Sequence, residues 1–159
     1  MSYTNADGLR VLTNEDQGAV KTQGTALESM KQVLVVDLAL ASLGSSFGAA
    51  QIDLNNPVIP ANSLITRADL VMTAAATSGG SATLTIGTYN AAGTAIDADG
   101  IDATIALAAL NAIGSTVRCD GAHLTTAGLI TADAYIGAIF ATAAFTAGTA
   151  KLYIEYVKL

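Results

Sequence analysis

A five-residue segment has the spacing of a hydrolase nucleophile. Gly44-Ser45-Ser46-Phe47-Gly48 matches the pattern G-x-S-x-G, and Asp120 and His123 follow it in the chain order of an α/β-hydrolase triad. That motif places its serine on a strained turn between a strand and a helix. An alternating strand precedes Gly44, but residues 49–54 run into Asn55-Asn56-Pro57 and leave no room for the helix. The sequence therefore favours a glycine- and serine-containing loop over a catalytic elbow.

Three carboxylates in one short segment have the spacing of cation ligands. Asp97, Asp99 and Asp102 surround Gly100, and oxygen ligands two positions apart on a loop are typical of calcium sites. An EF-hand loop also needs a later glycine and a glutamate near its end, and position 108 is alanine. These aspartates are candidate ligands for weakly bound calcium. The alternative is a solvated turn in which Gly100 supplies a positive φ.

The other residues that could do chemistry are isolated. His123 is the single histidine, so one chain lacks a second imidazole for zinc, although three copies around a symmetry axis would bring three together. Cys119 adjoins Arg118, which would lower the pKa of the thiol, but such a cysteine is more often a small buried residue. The sequence therefore predicts no enzyme and no cofactor.

The composition points to a protein that works through its surface. Of 159 residues, 32 are Ala, 19 are Thr and 15 are Gly, and only 13% are charged. The net charge is −6, and the seven basic residues are scattered, with none between 68 and 117, so nucleic acid is not an expected partner. No apolar run approaches the ~18 residues of a membrane span. The first residues do not resemble a signal peptide, so we expect synthesis in a cytoplasm.

Alternation of apolar and small polar side chains predicts most of the fold. The predicted strands cover residues 33–41, 64–73, 81–86, 129–142 and 150–157. In the last of them, Leu152 and Ile154 are predicted to face the core, whereas Lys151 and Glu155 face outward. The turn Ser78-Gly79-Gly80-Ser81 predicts an antiparallel hairpin between the second and third strands.

One segment departs from this period of two. Residues 101–113 have apolar side chains at helical spacing and end at Gly114, which predicts a short helix after a loop at 91–100. The predicted fold class is therefore all-β: an antiparallel β-sandwich, jelly-roll-like, with one short helix in a connection. An immunoglobulin-like topology is the alternative, although the Cys-Trp-Cys signature is missing.

The chain divides into two regions by composition. Residues 1–31 are polar and aperiodic, which predicts an N-terminal arm, either disordered or docked on a neighbour; residues 32–159 form the β-sandwich domain. Leu9, Val11 and Leu12 are the apolar cluster of the arm and are candidate contacts to a partner. The alternative is that they pack on this chain's own sandwich.

Five pieces between about residue 59 and residue 157 carry a resemblance to known proteins. They are Leu64-Ile65-Thr66-Arg67-Ala68-Asp69-Leu70, Ala82-Thr83-Leu84-Thr85-Ile86-Gly87, Asp97-Ala98-Asp99-Gly100-Ile101-Asp102-Ala103, Cys119-Asp120-Gly121-Ala122 and Phe145-Thr146-Ala147-Gly148-Thr149-Ala150 through Tyr156. With these pieces the stretch resembles a family of small structural proteins of tailed phages, especially podoviruses of marine bacteria. No catalytic motif accompanies the resemblance.

The resemblance implies a virion protein on the capsid surface. Its implied role is decoration, or cement: a homotrimer that binds the major capsid protein and grips the shell with an N-terminal arm. The alternative is a receptor- or carbohydrate-binding module on a tail or fibre, with contacts in the loops at 91–100 and 120–126. Neither nucleic acid nor membrane is an expected partner.

Overall fold

The computed structural model describes residues 2–4, 10–12, 31–52, 58–126 and 128–159. Within the predicted arm, Ser2–Thr4 (β1) and Arg10–Leu12 (β2) form an antiparallel pair in which Tyr3 lies opposite Val11. The sequence did not predict this pair, because strands of three residues are too short to show a period.

The other described ranges form two antiparallel sheets, which confirms the predicted β-sandwich. Their strands are β3 (Lys31–Ala39), β4 (Ser63–Ser78), β5 (Thr83–Tyr89), β6 (Ala95–Ala106), β7 (Thr116–Arg118), β8 (Leu129–Ile130), β9 (Tyr135–Ala141) and β10 (Phe145–Lys158). The first sheet has the order β3-β10-β4-β7, with β8 also paired to β4; the second has the order β6-β5-β9.

The core lies between the two sheets and consists of small and aliphatic side chains. Leu152 and Ile154 of β10 are fully buried, and Ile154 lies between Leu34 of β3 and Ala68 of β4. From the second sheet, Leu84 and Ile86 pack into the same cluster. Strict alternation along β10 therefore predicted its buried face correctly.

The predicted hairpin around Gly79 and Gly80 is wrong. β4 pairs with β10, β7 and β8, whereas β5 pairs with β6 and β9, so the connection carries the chain from one sheet to the other. Both strands alternate because each buries one face in the shared core. Alternation does not reveal whether two successive strands pair side by side or face each other across that core.

The helix predicted over 101–113 is confirmed only in part, because residues 101–106 are strand and residues 107–110 are helical. β6 begins at Ala95, inside the predicted loop, and continues to Ala106; the helix α1 is only Leu107–Leu110. The register between β5 and β6 shifts several times, so Ile101 and Asp102 are both buried and the period of two is lost. A second short helix, α2 (Ala122–Thr125), was not predicted.

The segment between β3 and β4 covers the free edge of β9. The N–H of Phe140 donates to the carbonyl of Gly44 (3.0 Å), on the side of β9 that faces away from β5. Next to this contact, the ring of Phe47 lies against Tyr89 with centroids 4.3 Å apart. A turn of chain thus takes the place of a further strand beside β9.

Candidate interaction surface

The serine motif does not have the geometry of a nucleophile elbow. Ser45 and Ser46 are exposed in a bend, and a single 3-10 turn at Ala49–Gln51 follows in place of an α-helix. Asp120 is exposed, whereas His123 is buried, with its Nε2 2.9 Å from Thr88 Oγ1. The segment is the inter-strand loop that the sequence favoured.

The three candidate calcium ligands lie in β6 and not in a loop. Asp99 is exposed, whereas Asp102 is only 4% exposed and accepts a hydrogen bond from the N–H of Thr104 (3.0 Å). Burial raises the pKa of Asp102 above its ordinary value; the Thr104 hydrogen bond opposes the shift, and the charge of Asp120 adds to it. Across the described ranges, no group of three or more His, Cys, Asp or Glu side chains is placed to hold a metal ion.

The thiol of Cys119 is not activated by its neighbour Arg118. Cys119 is 3% exposed, and burial raises its pKa to about 12. The charges of Asp102, Asp69 and Asp120 contribute to this rise, and the opposing effect of Arg118 is the smallest of these influences. At neutral pH the group is a protonated thiol, so Cys119 is a small core residue and not a nucleophile.

The candidate contacts of the arm are only partly covered by the structure. Leu9 lies outside the described residues. Val11 and Leu12 are described as positions in β2, with Val11 opposite Tyr3 and Leu12 opposite Ser2. Their role as partner contacts stays a prediction.

The first sheet turns a broad surface, here called the outer face, away from the core. It consists of the side chains that alternate with the buried ones on β3, β10 and β4, together with Arg118 of β7. Its charged and apolar members are Lys31, Val33, Val35, Asp37, Arg67, Asp69, Lys151, Tyr153 and Glu155.

Charges of opposite sign alternate across the strands of the outer face. Lys151 Nζ lies 2.6 Å from Asp37 Oδ1, and Lys31 Nζ lies 3.3 Å from Glu155 Oε2. Asp69 binds two cations at once, Arg118 at 2.9 Å and Arg67 through a short hydrogen bond. Exposed pairs of this kind contribute little to stability, so their main effect is to fix the positions of the charges.

The same pairs shift the titration of their basic members. A hydrogen bond to Asp37, supported by its charge, raises the pKa of Lys151. A hydrogen bond to Asp69 does the same for the pKa of Arg67. The direction of both shifts favours the cationic form, which Lys151 and Arg67 already have at neutral pH.

Apolar side chains lie among these charges and remain open to water. Val33 is 56% exposed, Val35 is 41% exposed and Tyr153 is 36% exposed. Val35 lies directly opposite Tyr153, and Val33 opposite Glu155. Exposed apolar side chains bordered by fixed charges are typical of the centre of a protein contact.

The other end of the first sheet is different in chemistry. Residues 73–78 of β4 and 145–150 of β10 contain no charge. Their hydroxyls pair across the strands: Thr73 with Thr149 at 2.7 Å, and Thr77 with Thr146 at 2.8 Å. This uncharged end exposes mainly threonine and alanine, and its one large apolar side chain, Phe145, is buried.

A cleft of about 590 Å³ opens beside this uncharged end. It lies where β4 ends, β5 begins and β6 passes into α1, and its walls include Ser78, Leu107 and Asn111. None of its lining residues is titratable, so it can accept a neighbouring chain segment but offers no acid or base. Among the described residues, no helix is long and apolar enough to cross a membrane.

Sequence reasoning did not identify the outer face as a site. Alternation puts Val33, Val35 and Asp37 on one face of the strand predicted at 33–41, and it predicted Lys151 and Glu155 to face outward on the last strand, but it gave neither face a role. The available signal was the identity of these residues, because two valines on a face that does not meet the core suggest another partner.

Two solved structures contain chains with the same fold. A chain of the acid-stable capsid structure of Helicobacter pylori bacteriophage KHP30 aligns with TM-score 0.55 and 10% identity, covering 81% of this chain and 88% of that one. A chain of the capsid of Ralstonia phage GP4 aligns with TM-score 0.54 and 18% identity, covering 90% of this chain and 94% of that one. No protein-family model matches the chain, and no curated protein matches it in sequence.

Proposed function

We propose that this protein is a non-enzymatic structural protein of a phage virion and that it decorates the capsid as cement. The observation that carries the proposal is the extent of the fold match. The alignments cover 81% and 90% of this chain and 88% and 94% of chains from two phage capsids, so whole chains correspond and not fragments.

The strand order supports a jelly-roll topology for the sandwich. The order β3-β10-β4-β7 is that of one of the two four-stranded sheets of a jelly roll. The order β6-β5-β9 corresponds to the other sheet with one strand missing. The missing strand would lie beside β9, where Gly44 meets Phe140. Jelly rolls are common in viral capsids and also in lectins, so the topology alone does not separate decoration from sugar binding.

The proposed mechanism is mechanical. A protein that binds only the assembled lattice of the major capsid protein stabilises that lattice by mass action. The arm, residues 1–31, binds the shell through Leu9, Val11 and Leu12. In a homotrimer three such weak contacts act together, so the attachment is stronger than that of one chain. The protein is made in the host cytoplasm and acts on the capsid surface, without nucleic acid, membrane or cofactor.

The alternative is a receptor- or carbohydrate-binding module of a tail or fibre. The two loops proposed for its contacts are largely regular in the structure, since residues 95–100 belong to β6 and residues 122–125 form α2. The geometry therefore supports decoration better. Copy number and location in purified virions separate the two: hundreds of copies on the shell are expected for cement, and a handful on the tail for the alternative.

Deletion of residues 1–24 tests the role of the arm. We expect the sandwich to remain folded, because its strands begin at Lys31, and capsid attachment to weaken. A truncated protein that binds empty shells as well as the full chain would locate the docking surface elsewhere.

Light scattering of the purified chain tests the homotrimer. A clean monomer at micromolar concentration would contradict it.

A further inference from the structure

β3 is an open edge of the first sheet. It pairs with β10 from Lys31–Val157 to Ala39–Thr149 without a register shift. On its other side, no strand pairs with it among residues 31–52, 58–126 and 128–159. Nine regular residues without proline are long enough to pair with another extended chain.

The features that ordinarily protect such an edge are sparse on β3. Natural edge strands are kept apart by short length, bulges, proline or charges along the strand. The charges of β3 are Lys31 near its start and Asp37 near its end, with the exposed Val33 and Val35 between them. The middle of the edge therefore presents apolar side chains beside main-chain groups that no described strand pairs with.

The sequence of β3 is complementary to itself when a second copy runs antiparallel. With Leu34 opposite Leu34, Lys31 lies opposite Asp37, and Val33 lies opposite Val35, and two-fold symmetry repeats both matches. A shift by two residues in one direction places Val33 opposite Asp37, and in the other direction it places Lys31 opposite Val35. Among these face-preserving registers, the Leu34-centred one matches both charge and hydrophobicity.

We propose that a second copy of this chain binds edge to edge along β3 in this register, joining two first sheets into one continuous antiparallel sheet across a two-fold axis. The contact involves the outer face described above but does not rest on the proposed capsid role, since it forms between copies of the purified chain. A two-fold contact closes on two copies and cannot build the proposed homotrimer, so it is a separate contact that joins chains of two different trimers.

Charges already fixed within each chain extend the match. Lys31 is held by Glu155, and Asp37 is held by Lys151. Pairing therefore produces a run of alternating sign: Glu155 and Lys31 of one copy, then Asp37 and Lys151 of the second. Alternating charge across a contact favours the correct register and disfavours others.

The apolar side chains join in the same way. Tyr153 lies beside Val35 within one chain, and the pairing sets Val35 beside Val33 of the second copy. The symmetric repeat yields six apolar side chains in one patch. A contact built on one strand pair belongs at the small end of the interface range, below about 1,200 Å², so we expect weak association in dilute solution that strengthens at high local concentration.

Charge reversal in the full-length chain tests the proposal. Lys31→Glu places a glutamate opposite Asp37, and Asp37→Lys places a lysine opposite Lys31, so each variant alone should associate at least about tenfold more weakly than the unaltered chain. A mixture of the two variants restores opposite charges at both positions. We expect mixed pairs well above the statistical fraction in native mass spectrometry with one variant isotopically labelled.

The matched control is Lys158→Glu, which makes the same charge change at an exposed position of β10 that has no partner on β3. It should leave association unchanged. The register is tested by mixing Val33→Cys with Val35→Cys under oxidising conditions, where the mixture should cross-link and each variant alone should not; the native Cys119 is buried. Statistical mixing of the charge variants, or backbone amides of β3 that are equally protected at every concentration, would overturn the proposal.

Discussion

The edge strands β9 and β3 differ in whether another segment of the chain covers them. At β9, the chain covers its own edge: the carbonyl of Gly44 accepts a hydrogen bond from the N–H of Phe140, and Phe47 lies against Tyr89. At β3, the described residues supply no such cover, and Val33 and Val35 remain exposed. Among the described residues, β9 is thus covered and β3 is not, so the proposed self-association would use the β3 side.

The cover over β9 depends on close backbone contact. A Cβ added at Gly93 would lie 2.1 Å from the backbone nitrogen of Ala49, so the turn after β5 packs directly onto the covering segment. Packing this close leaves no room for a side chain at Gly93. At β3, in contrast, the main chain is regular and the side chains of the outer face are exposed.

The largest effect is expected from truncating a core side chain next to β3. Ile154→Ala should lower the free energy of unfolding by about 2–5 kcal/mol, because a fully buried side chain between β3 and β4 leaves a cavity. Chemical denaturation measures it. The adjacent Glu155→Ala is the control and should cost about 1 kcal/mol or less, since its pair with Lys31 is exposed. Equal losses from both would mean that the faces of β10 are exchanged.

The next largest effect is expected from disturbing the segment that covers β9. Gly93→Ala should cost about 1–3 kcal/mol, because it adds both strain at φ +75° and a clash with Ala49. Gly114→Ala separates these causes: its φ is +80°, but nothing lies within 4 Å of the added Cβ, so only the strain of about 1 kcal/mol applies. Hydrogen exchange at Phe140 should quicken in the Gly93 variant alone. Equal destabilisation by the two would argue against close packing at Gly93.

A smaller change at the closed edge removes one ring. Phe47→Ala should cost about 1 kcal/mol, the loss of an aromatic contact with Tyr89, and should speed amide exchange at Phe140. The neighbouring Ser46 is exposed and in no ring contact, so Ser46→Ala serves as the control with unchanged stability. Unaltered exchange at Phe140 in the Phe47 variant would show that the hydrogen bond to Gly44 holds without the ring.

The smallest effect concerns β6, the other edge strand of the second sheet. Burial raises the pKa of Asp102 in the folded chain, so the folded state binds more protons than the unfolded state between the unfolded pKa of about 3.9 and the folded value. Stability should therefore fall as pH rises through that window. Asp102→Asn removes this fall and can keep the hydrogen bond from Thr104.

Melting temperatures at pH 4 and pH 7 measure this difference between the variant and the unaltered chain. Asp99→Asn is the control, because Asp99 is exposed on the same strand. If the two variants give the same pH profile, desolvation of Asp102 does not govern the titration.

The sequence predicted which face of a strand is buried, but it did not predict which strands pair. The faces of β3 and β10 follow from unbroken alternation, because one face meets a continuous core. The strand pairing around Gly79 was wrong because a two-glycine turn is the same whether the next strand pairs or crosses. The helix predicted over 101–113 was too long, because shifts in the β5–β6 register hide the alternation that would have shown residues 101–106 to be a strand.

The outer face was invisible for a related reason. Its ion pairs between β3 and β10 join residues 114 positions apart, Asp37 and Lys151, and 124 positions apart, Lys31 and Glu155. No local pattern links such residues, so the surface exists only once the sheet is assembled. The sequence displayed its parts separately, as the valines on one face of β3 and as the outward positions of Lys151 and Glu155 on β10.

The central place of β10 has a consequence for synthesis. Among the described strands, β10 is the last to leave the ribosome, yet it lies between β3 and β4 and pairs with both. The pairs of β10 with β3 and with β4 therefore cannot form until β10 has been synthesised, more than a hundred residues after β3. Such long-range pairing slows folding and leaves unpaired strands exposed to other nascent chains.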